Sequence, residues 1–280
     1  MSRVDLHVHT NASDGRYSPS EIVKMAALAD ISVLGITDHD TVAGLDAAIE
    51  AAKGFPNFKL IPGVEINTDV PSGEAHVLGY FIDYTHPELL SLLSEMRASR
   101  HDRAQQMIAK LGALGMPLSW DRVKKIADTD SIGRPHIAKA LLEKGYITSF
   151  REAFDKYLGF GMPAYVERPK VSPADATEVI LRANGVPVLA HPFTVGEPEK
   201  MIADLKGHGL VGIEVYYGSY SRSQVANLRG YAQKYSLLPT GGSDFHGIDE
   251  TNEVEMGLCG MPMKAAKALI AFAERKPKAS

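Results

Sequence analysis

The sequence contains a single cysteine, Cys259, among its 280 residues. One cysteine excludes an intramolecular disulfide and leaves nitrogen and oxygen atoms as the ligands for any metal ion. No apolar run approaches the length that spans a bilayer, and the first strand-like run begins at once, without the basic and apolar regions of a secretory leader. We therefore expect a cytoplasmic protein that does not cross a membrane.

The sequence also lacks a large excess of positive or negative charge. The formal net charge is -4, which does not favour avid binding to nucleic acid or to an anionic membrane. The composition, with 45% apolar and 23% charged residues, is that of an ordinary globular protein. The length fits one or two domains, such as an α/β barrel with an insertion.

Seven strand-like runs, rich in Val, Ile and Leu, are distributed along the chain. They are VDLHVHT, SVLGITDHD, FKLIPGVEIN, AHVLGYFID, VPVLAHP, LVGIEVYYG and LLPTGGSDFHG. Their apolar residues are continuous, which is typical of a mostly parallel sheet covered by helices. Helical stretches separate most of the runs, and two of these stretches begin with the helix-start signals Ser18-Pro19-Ser20-Glu21 and Ser172-Pro173-Ala174-Asp175. The pattern predicts an α/β fold.

The stretch between the fourth and fifth runs contains several segments with helical spacing and no convincing strand. We assign residues 97–170 to a helical cap insertion, and residues 1–96 and 171–280 to the barrel. The insertion has 14 Lys and Arg against 8 Asp and Glu, whereas the remainder has 16 basic and 26 acidic residues. Such charges are often only a solvated surface, but a basic cap over an acidic barrel would also suit an anionic substrate.

Histidines and carboxylates follow every predicted strand. They are His7, His9, Asp14, Asp38, His39, Asp40, Glu65, His76, His191, Glu214, Asp244 and His246. The loops that follow the strands of an α/β barrel converge on one face, so these side chains are expected to meet. One such residue can be structural, but burying so many without partners would be costly. The pattern therefore predicts a site for several metal ions.

The segments DLHVHTNASDG, ITDHDTVAG, PGVEI, AHVLGY, VLAHP and GGSDFHG, in this order, resemble the polymerase and histidinol phosphatase (PHP) family. The resemblance runs from Asp5 to His246 and implies a distorted seven-stranded (β/α) barrel with a trinuclear metal site. It assigns one ion to His7, His9, Glu65 and Asp244. It assigns a second to Glu65, His76 and His191, and a third to Asp14, His39 and His246.

Three divalent ions are thus expected, held by imidazole and carboxylate groups. Mn²⁺ is the first choice, and Fe²⁺ and Zn²⁺ are alternatives. Mg²⁺ is the least favoured, because it prefers oxygen ligands and this set contains many nitrogens. The resulting positive centre matches a phosphate group, which indicates hydrolysis of a phosphate ester. We assign Asp38 to the support of a histidine ring. For Asp40, which precedes a helical run, the ordinary structural interpretation is a helix cap, and we leave Glu214 without a role.

The insertion segments GRPHIAKAL and YLGFGMPAYVERPK, together with the metal motifs, resemble stand-alone PHP members that act as 3',5'-nucleotide bisphosphate phosphatases or 5'-to-3' exoribonucleases. The resemblance implies that the 3'-phosphate of a nucleoside 3',5'-bisphosphate is hydrolysed to give the nucleoside 5'-monophosphate. Arg134, His136 and Lys170 are the expected phosphate contacts, with Lys170 preferred over Arg168. Arg134 and His136 are also the catalytic candidates, because His136 could protonate the leaving oxygen.

Four alternatives remain at this point. The same barrel could act on histidinol phosphate or remove nucleotides from the 5' end of a short RNA. An amidohydrolase also begins with a His-x-His pair, although Asp14, His39 and Glu65 fit that class less well. A PHP module with a purely structural role would lack ligands or carry a large partner segment, and this sequence shows neither. We infer no obligate protein partner.

Overall fold

The computed structural model describes residues 3–70, 73–128, 132–167, 171–248 and 253–276. At its centre is a seven-stranded sheet in which the strands follow one another in chain order. The strands are β1 Arg3–Asp5, β2 Ile31–Ile36, β3 Lys59–Val70, β4 Gly73–Tyr80, β5 Val186–Leu189, β6 Gly212–Tyr217 and β7 Leu238–Gly242. Each lies within or overlaps one of the seven predicted runs, and the predicted α/β barrel is confirmed.

Hydrogen bonds from the residues after β1, both to β7 and to the segment after β7, nearly close the sheet into a barrel. The Leu6 N–H donates to the Gly241 carbonyl at 3.2 Å, and the His9 N–H donates to the Phe245 carbonyl at 2.9 Å. The buried carboxylate of Asp5 accepts hydrogen bonds across this junction from the backbone and hydroxyl of Ser243 and from the Gly257 N–H. Asp5, to which the sequence assigned no role, therefore stabilises the closure.

Ten α-helices lie in the described part of the chain. They are α1 Pro19–Leu28, α2 Leu45–Ala52, α3 Pro87–Ala113, α4 Trp120–Ala127, α5 Arg134–Glu143, α6 Phe150–Ala153, α7 Pro173–Arg182, α8 Pro198–Gly207, α9 Arg222–Lys234 and α10 Met263–Arg275. Both predicted start signals are present, because Ser18 and Ser172 accept hydrogen bonds from the backbone three residues later. None of these described helices has the length and apolar character needed to cross a membrane.

The fourth strand departs from the parallel order. β4 pairs antiparallel with both β3 and β5, whereas the other four pairings are parallel. The cause is the short connection from β3, which ends at Val70, to β4, which begins at Gly73. A parallel neighbour needs a crossover of a dozen or more residues, and only two residues are available here. The regular alternation of strands and helices is therefore interrupted at this point.

The described residues of the predicted insertion contain the second part of α3, the helices α4 to α6 and a π-helical turn at Phe154–Leu158. Its helices share an apolar cluster of their own, which includes Met107, Leu111 and Ile137. The first half of α3 instead packs on the barrel core through residues such as Leu93. The division between residues 96 and 97 therefore falls inside one continuous helix, and it stays a prediction.

The closure of the barrel leaves no room for a side chain at Gly242. A Cβ atom at this position would lie 2.2 Å from the Cβ of His7 and 2.5 Å from its backbone nitrogen. Because the neighbouring backbone would have to move, we expect Gly242→Ala to lower the free energy of unfolding by about 2 kcal/mol or more. Denaturant unfolding followed by circular dichroism measures this change.

Gly112 in α3 is the matched control, because a Cβ atom there meets nothing within 4 Å. Gly112→Ala should leave stability unchanged or raise it slightly, since alanine favours a helix over glycine. Equal unfolding midpoints for Gly242→Ala and the unaltered protein would contradict the tight junction.

Candidate metal centre

All nine predicted metal ligands meet at one end of the barrel. His7 and His9 lie just beyond β1, two residues apart, so their rings point to the same side of the extended chain. Both rings are fully buried. Asp244 lies beyond β7, and its backbone N–H donates to the His7 carbonyl at 2.9 Å. Closure of the barrel thus brings the first and last ligand segments together.

His76 reaches the same end because of the reversal of β4. The sequence placed it at the carboxyl end of a strand, and this is wrong: His76 lies in the first half of β4. In the antiparallel pair, it is opposite Asn67, two residues after Glu65. The His76 Nδ1 atom lies 2.8 Å from Glu65 Oε1. An antiparallel strand therefore presents its beginning where its parallel neighbours present their ends.

The described histidine and carboxylate side chains form three groups whose ligand atoms lie within 4.8 Å of one another. The first group is His7, His9, Glu65 and Asp244, as the family resemblance implied. The second is His39, Glu65 and His76, and the third is His9, Asp14, His39 and His246. The second group differs from the implied set, because it contains His39 and not His191, which lies 3.1 Å from Glu65 but in none of the three groups. The third group adds His9 to the implied ligands.

Glu65 is at the centre of the cluster and is fully buried. Its Oε1 atom lies 2.8 Å from His76 Nδ1 and 3.1 Å from His191 Nε2. Its Oε2 atom lies 2.8 Å from His39 Nδ1 and 3.3 Å from the Nε2 atoms of both His7 and His9. One carboxylate therefore faces five imidazoles, with its two oxygens directed to different subsets.

Several buried ligand atoms are incompletely satisfied by the protein itself. Among the residues that the structure describes, His7 Nε2, both ring nitrogens of His9, His76 Nε2, Asp14 Oδ1, Glu65 Oε2 and Asp244 Oδ1 form no hydrogen bond. Buried polar atoms are normally satisfied, so such a concentration indicates a missing binding partner. Imidazole nitrogens and carboxylate oxygens without thiolate fit Mn²⁺, Fe²⁺ or Zn²⁺. The donor set therefore suits divalent metal ions.

Two carboxyl groups and one imidazole of the cluster have the protonation state that a bound cation requires, whereas, against the effect of burial, neighbouring carboxylates raise the pKa values of His7, His9, His191 and His246. Burial opposes ionisation of Glu65 and Asp244, but the surrounding imidazoles lower the pKa of both carboxyl groups well below the usual value. Burial of the His39 ring lowers its pKa to about 4, against the attraction of Glu65 and Asp14. Metal ligands must be ionised carboxylates and neutral imidazoles. These three side chains are therefore in the form that a metal ion requires.

Glu214, which the sequence left without a role, is a fully buried support for two ligands. Its Oε1 atom accepts a hydrogen bond from His7 Nδ1 at 3.1 Å, and its Oε2 atom accepts one from the His191 backbone at 2.8 Å. The first contact directs His7 Nε2 towards Glu65 and Asp244. Carboxylates that hold the second nitrogen of a ligand histidine in this way orient the ring and increase its basicity.

Tyr217 also contacts a predicted ligand, although no sequence pattern indicated a role for it. Its hydroxyl donates a hydrogen bond to Asp244 Oδ2 at 2.9 Å. Burial, reinforced by Asp244 and Glu214, raises the pKa of Tyr217 far above its ordinary value, so the phenol keeps its proton and remains a donor. A tyrosine in the run EVYYG carries no sequence signal for this role, because only the fold brings β6 beside Asp244.

The two aspartates around His39 have roles other than those predicted. Asp38 accepts hydrogen bonds from the backbone and hydroxyl of Thr10 and from the hydroxyl of Ser13, so it orders the loop that carries His9 and Asp14 rather than a histidine ring. Asp40 does not cap a helix, since α2 begins at Leu45. This difference arises because Thr10 and Ser13 are distant in sequence but adjacent in the barrel.

Asp40 instead joins the barrel to the insertion. Its carboxylate accepts hydrogen bonds from the Asn67 backbone at 2.9 Å and from Arg100 Nε of α3 at 2.5 Å. Arg97 Nη1 donates to the Asp40 carbonyl at 3.1 Å. The Asn67 side chain also lies 2.9 Å from His39 Nδ1. The insertion is thus connected by hydrogen bonds to a residue directly beside a predicted metal ligand.

A cavity of about 140 Å³ lies between the metal ligands and the insertion. Asp14, His39, His76 and His246 line the side formed by the barrel. Arg100, Arg103 and Arg134 line the side formed by the insertion. Arg134 is at the start of α5, as predicted, whereas Arg100 and Arg103 were not singled out in the sequence. Lys170 and Arg168 lie outside the described residues.

His136 lies in the first turn of α5 and is buried. Its Nδ1 atom accepts a hydrogen bond from the Gly133 backbone at 3.0 Å, so the neutral ring carries its hydrogen on Nε2. Burial lowers the pKa of His136 to about 4, although Asp14 opposes this change. A pKa this low leaves the ring neutral at neutral pH and disfavours proton donation from a charged ring, and the roles of His136 in catalysis and substrate contact stay predictions.

The support that Glu214 gives to His7 can be tested by Glu214→Gln. The amide cannot accept both of the hydrogen bonds that the two carboxylate oxygens accept. We expect the affinity for Mn²⁺ to fall about 10- to 100-fold while the circular dichroism spectrum stays unchanged. Isothermal titration calorimetry with metal-stripped protein measures the affinity.

Glu178→Gln provides a matched control. Glu178 Oε1 lies 2.9 Å from His208 Nδ1, so this pair has similar chemistry but is exposed and outside the metal cluster. Its replacement should leave Mn²⁺ affinity unaltered. If both variants bound Mn²⁺ as tightly as the original protein, Glu214 would have no part in ligand support.

Comparison with known proteins agrees with the fold and the cluster. A family model described as the PHP domain matches residues 5–167. A 5'-3' exoribonuclease of Haemophilus influenzae is 36% identical over 248 residues, which cover 87% of this chain and 90% of that protein. A 3',5'-nucleoside bisphosphate phosphatase of Chromobacterium violaceum is 35% identical over 257 residues, which cover 89% of each protein.

A crystal structure of a candidate metal-dependent phosphoesterase from Bifidobacterium adolescentis has a TM-score of 0.87 to this chain. The sequences are 28% identical, and the alignment covers 96% of both chains. The family model spans more than half of the chain, and the two enzymes extend the similarity over most of the remainder. The chain therefore belongs to the PHP domain family.

Proposed function

We propose that the protein is a metal-dependent phosphoesterase that hydrolyses the 3'-phosphate of nucleoside 3',5'-bisphosphates. In this reaction, water supplies an oxygen to phosphorus, the bond from phosphorus to the 3'-oxygen breaks, and that oxygen takes up a proton. The products are a nucleoside 5'-monophosphate and inorganic phosphate. The observation that carries the proposal is the shared cavity, which has metal-type ligands on one side and three arginines on the other.

We assign the binding of three divalent ions, with Mn²⁺ preferred, to His7, His9, Asp14, His39, Glu65, His76, His191, Asp244 and His246. Ions held by such ligands polarise phosphoryl oxygens and lower the pKa of water, which is the chemistry of phosphate-ester hydrolysis. The protein contributes the fixed positions of the ligands, since Glu214, Tyr217 and Asp38 restrain them through buried hydrogen bonds.

The arginines of the insertion bind and orient the substrate in this proposal. Arg134 lies at the start of α5, where backbone N–H groups and the helix dipole already favour an anion. Its planar guanidinium can form two parallel hydrogen bonds with a phosphate. Arg103 lines the same cavity and is largely buried. We assign these two side chains, together with Lys170, to the phosphate groups of the nucleotide.

His136 acts as a neutral hydrogen-bond donor in this proposal. Its Nδ1 atom is engaged by the Gly133 backbone, so Nε2–H is the group that can face a substrate oxygen. With a pKa of about 4, the ring is uncharged at neutral pH. A neutral donor can stabilise negative charge on the leaving 3'-oxygen, which a preorganised hydrogen bond does without the protonated ring.

The names of the similar proteins support a nucleotide substrate. The Chromobacterium violaceum protein is a 3',5'-nucleoside bisphosphate phosphatase, and the Haemophilus influenzae protein is a 5'-3' exoribonuclease. Both types of substrate contain a ribose that bears a phosphate at each end. A second candidate function is therefore removal of nucleotides from the 5' end of a short RNA. The net charge of -4 does not favour avid binding to long RNA.

The substrate is tested by phosphate release from adenosine 3',5'-bisphosphate with metal-stripped protein resupplied with Mn²⁺. We expect hydrolysis that depends on the metal and exceeds that of histidinol phosphate, because only the bisphosphate engages both the metal ligands and the arginines. A short 5'-phosphorylated RNA, analysed by electrophoresis, tests the second function. Preference for histidinol phosphate would overturn the nucleotide assignment.

Arg134→Ala tests the phosphate contact from the insertion. Loss of a charge-assisted contact contributes about 1.5 to 3 kcal/mol, so the KM for adenosine 3',5'-bisphosphate should rise about 10- to 100-fold. Lys144→Ala is the control, since Lys144 is an exposed cation at the other end of α5. Steady-state kinetics that gave both variants the same KM as the original enzyme would remove Arg134 from the binding site.

A further inference from the structure

We propose that the ring of Phe160, held in place by an edge-to-face contact with Tyr165, forms a stacking platform for the nucleobase of the substrate. The proposal rests on the proposed function, because it concerns the nucleotide that the cavity would hold. Phe160 is 50% exposed, and it is the one aromatic residue among the large hydrophobic side chains that are exposed in the described part of the chain. An exposed aromatic ring connected to the cavity can contact a bound nucleotide.

Two separate contacts place Phe160 beside the cavity. The N–H of its neighbour Gly159 donates to the carbonyl of Phe154 at 3.0 Å, and Phe154 lines the cavity. The ring of Phe160 contacts the ring of Tyr165 edge to face, with 5.4 Å between centroids and 66° between the ring planes. Tyr165 in turn lies beneath the guanidinium of Arg103, whose Cζ atom is 5.1 Å from the ring centroid. Arg103 also lines the cavity.

Exposure increases along this series of contacts. Arg103 is 7% exposed, Tyr165 is partly buried, and Phe160 is 50% exposed. The series therefore leads from the charged interior of the cavity to solvent. A nucleotide whose phosphates occupy the charged interior must place its base, which carries no phosphate, towards the outside. Phe160 is the exposed end of this series of contacts.

The turn that carries Phe160 is restrained. A Cβ atom on Gly159 would lie 2.4 Å from the Phe154 carbonyl oxygen, so this close approach requires glycine. Gly161 has a φ of +73°, which glycine adopts readily. The Met162 N–H donates back to the Gly159 carbonyl at 3.0 Å. An aromatic ring held on such a turn loses little freedom when a flat base stacks on it.

A base has polar edges and an aromatic face, and stacking on phenylalanine or tyrosine uses the face alone. Such contacts contribute to binding of all four bases, because each base has an aromatic face. The platform would therefore increase affinity for nucleotides over sugar phosphates without selecting one base. It would act on the first nucleotide of an RNA in the same way.

The test compares adenosine 3',5'-bisphosphate with 1-deoxyribose 3,5-bisphosphate, which has both phosphates but no base. With Phe160→Ala, we expect the KM for the adenosine compound to rise five-fold or more and the KM for the base-free compound to change less than two-fold. Phe160→Trp should restore the KM for the adenosine compound. Leu142→Ala, at an exposed leucine of α5, is the control and should change neither value.

Equal effects of Phe160→Ala on both compounds would overturn the platform, even if the enzyme hydrolyses the bisphosphate as proposed. If the original protein hydrolysed neither compound, the proposed function would fail, and calorimetric binding of adenosine 3',5'-bisphosphate would replace the kinetic test. Binding weakened five-fold or more by Phe160→Ala would then support the platform. Undetectable binding to the original protein, or equal binding to both proteins, would overturn it.

Discussion

Burial of the Glu65 carboxylate is the constraint on which the arrangement of the barrel mouth depends. A buried negative charge is costly unless nearby groups compensate for it. Here five imidazoles from four segments surround the two carboxylate oxygens, at distances of 2.8 to 3.3 Å. These segments must be brought together from distant parts of the chain. Closure of the barrel and reversal of β4 are the features of the fold that allow this.

A second layer of carboxylates holds the first in place. Glu214 orients His7, Asp38 orders the loop that carries His9 and Asp14, and Asp5 joins the first and last strands. These groups are buried and are satisfied by hydrogen-bond donors of the protein, in contrast to the incompletely satisfied atoms of the ligands themselves. This difference in hydrogen bonding indicates two functions for the acidic residues of the site. One set restrains the site, and the other leaves oxygen atoms available for cations.

The insertion is part of the site because α3 is continuous from barrel to cavity. Its first half packs in the barrel core, and its second half packs in the apolar cluster of the insertion. Arg100 pairs with Asp40 near this transition, while Arg103, one turn later, lines the cavity. A rigid helix with a buried ion pair near its middle fixes the distance between the arginines and the metal ligands. The cavity therefore has two differently charged sides, and α3 sets the position of two of the three arginines on one of them.

The sequence by itself determined the α/β class, the seven strands and the nine histidines and carboxylates that meet at the barrel mouth. It could do so because continuous apolar runs and short ligand motifs are local patterns. It did not reveal the direction of β4, the roles of Glu214, Tyr217, Asp38 and Asp40, or the presence of Arg100 and Arg103 in the cavity. The roles of these side chains depend on contacts between residues far apart in the chain, as when Glu214 meets His7 or Asp40 meets Arg100, whereas the direction of β4 follows from its short connection to β3. Only the tertiary structure decided them, because hydrogen bonds and charge compensation depend on the distance between atoms in space. The separation of two residues along the chain does not determine that distance.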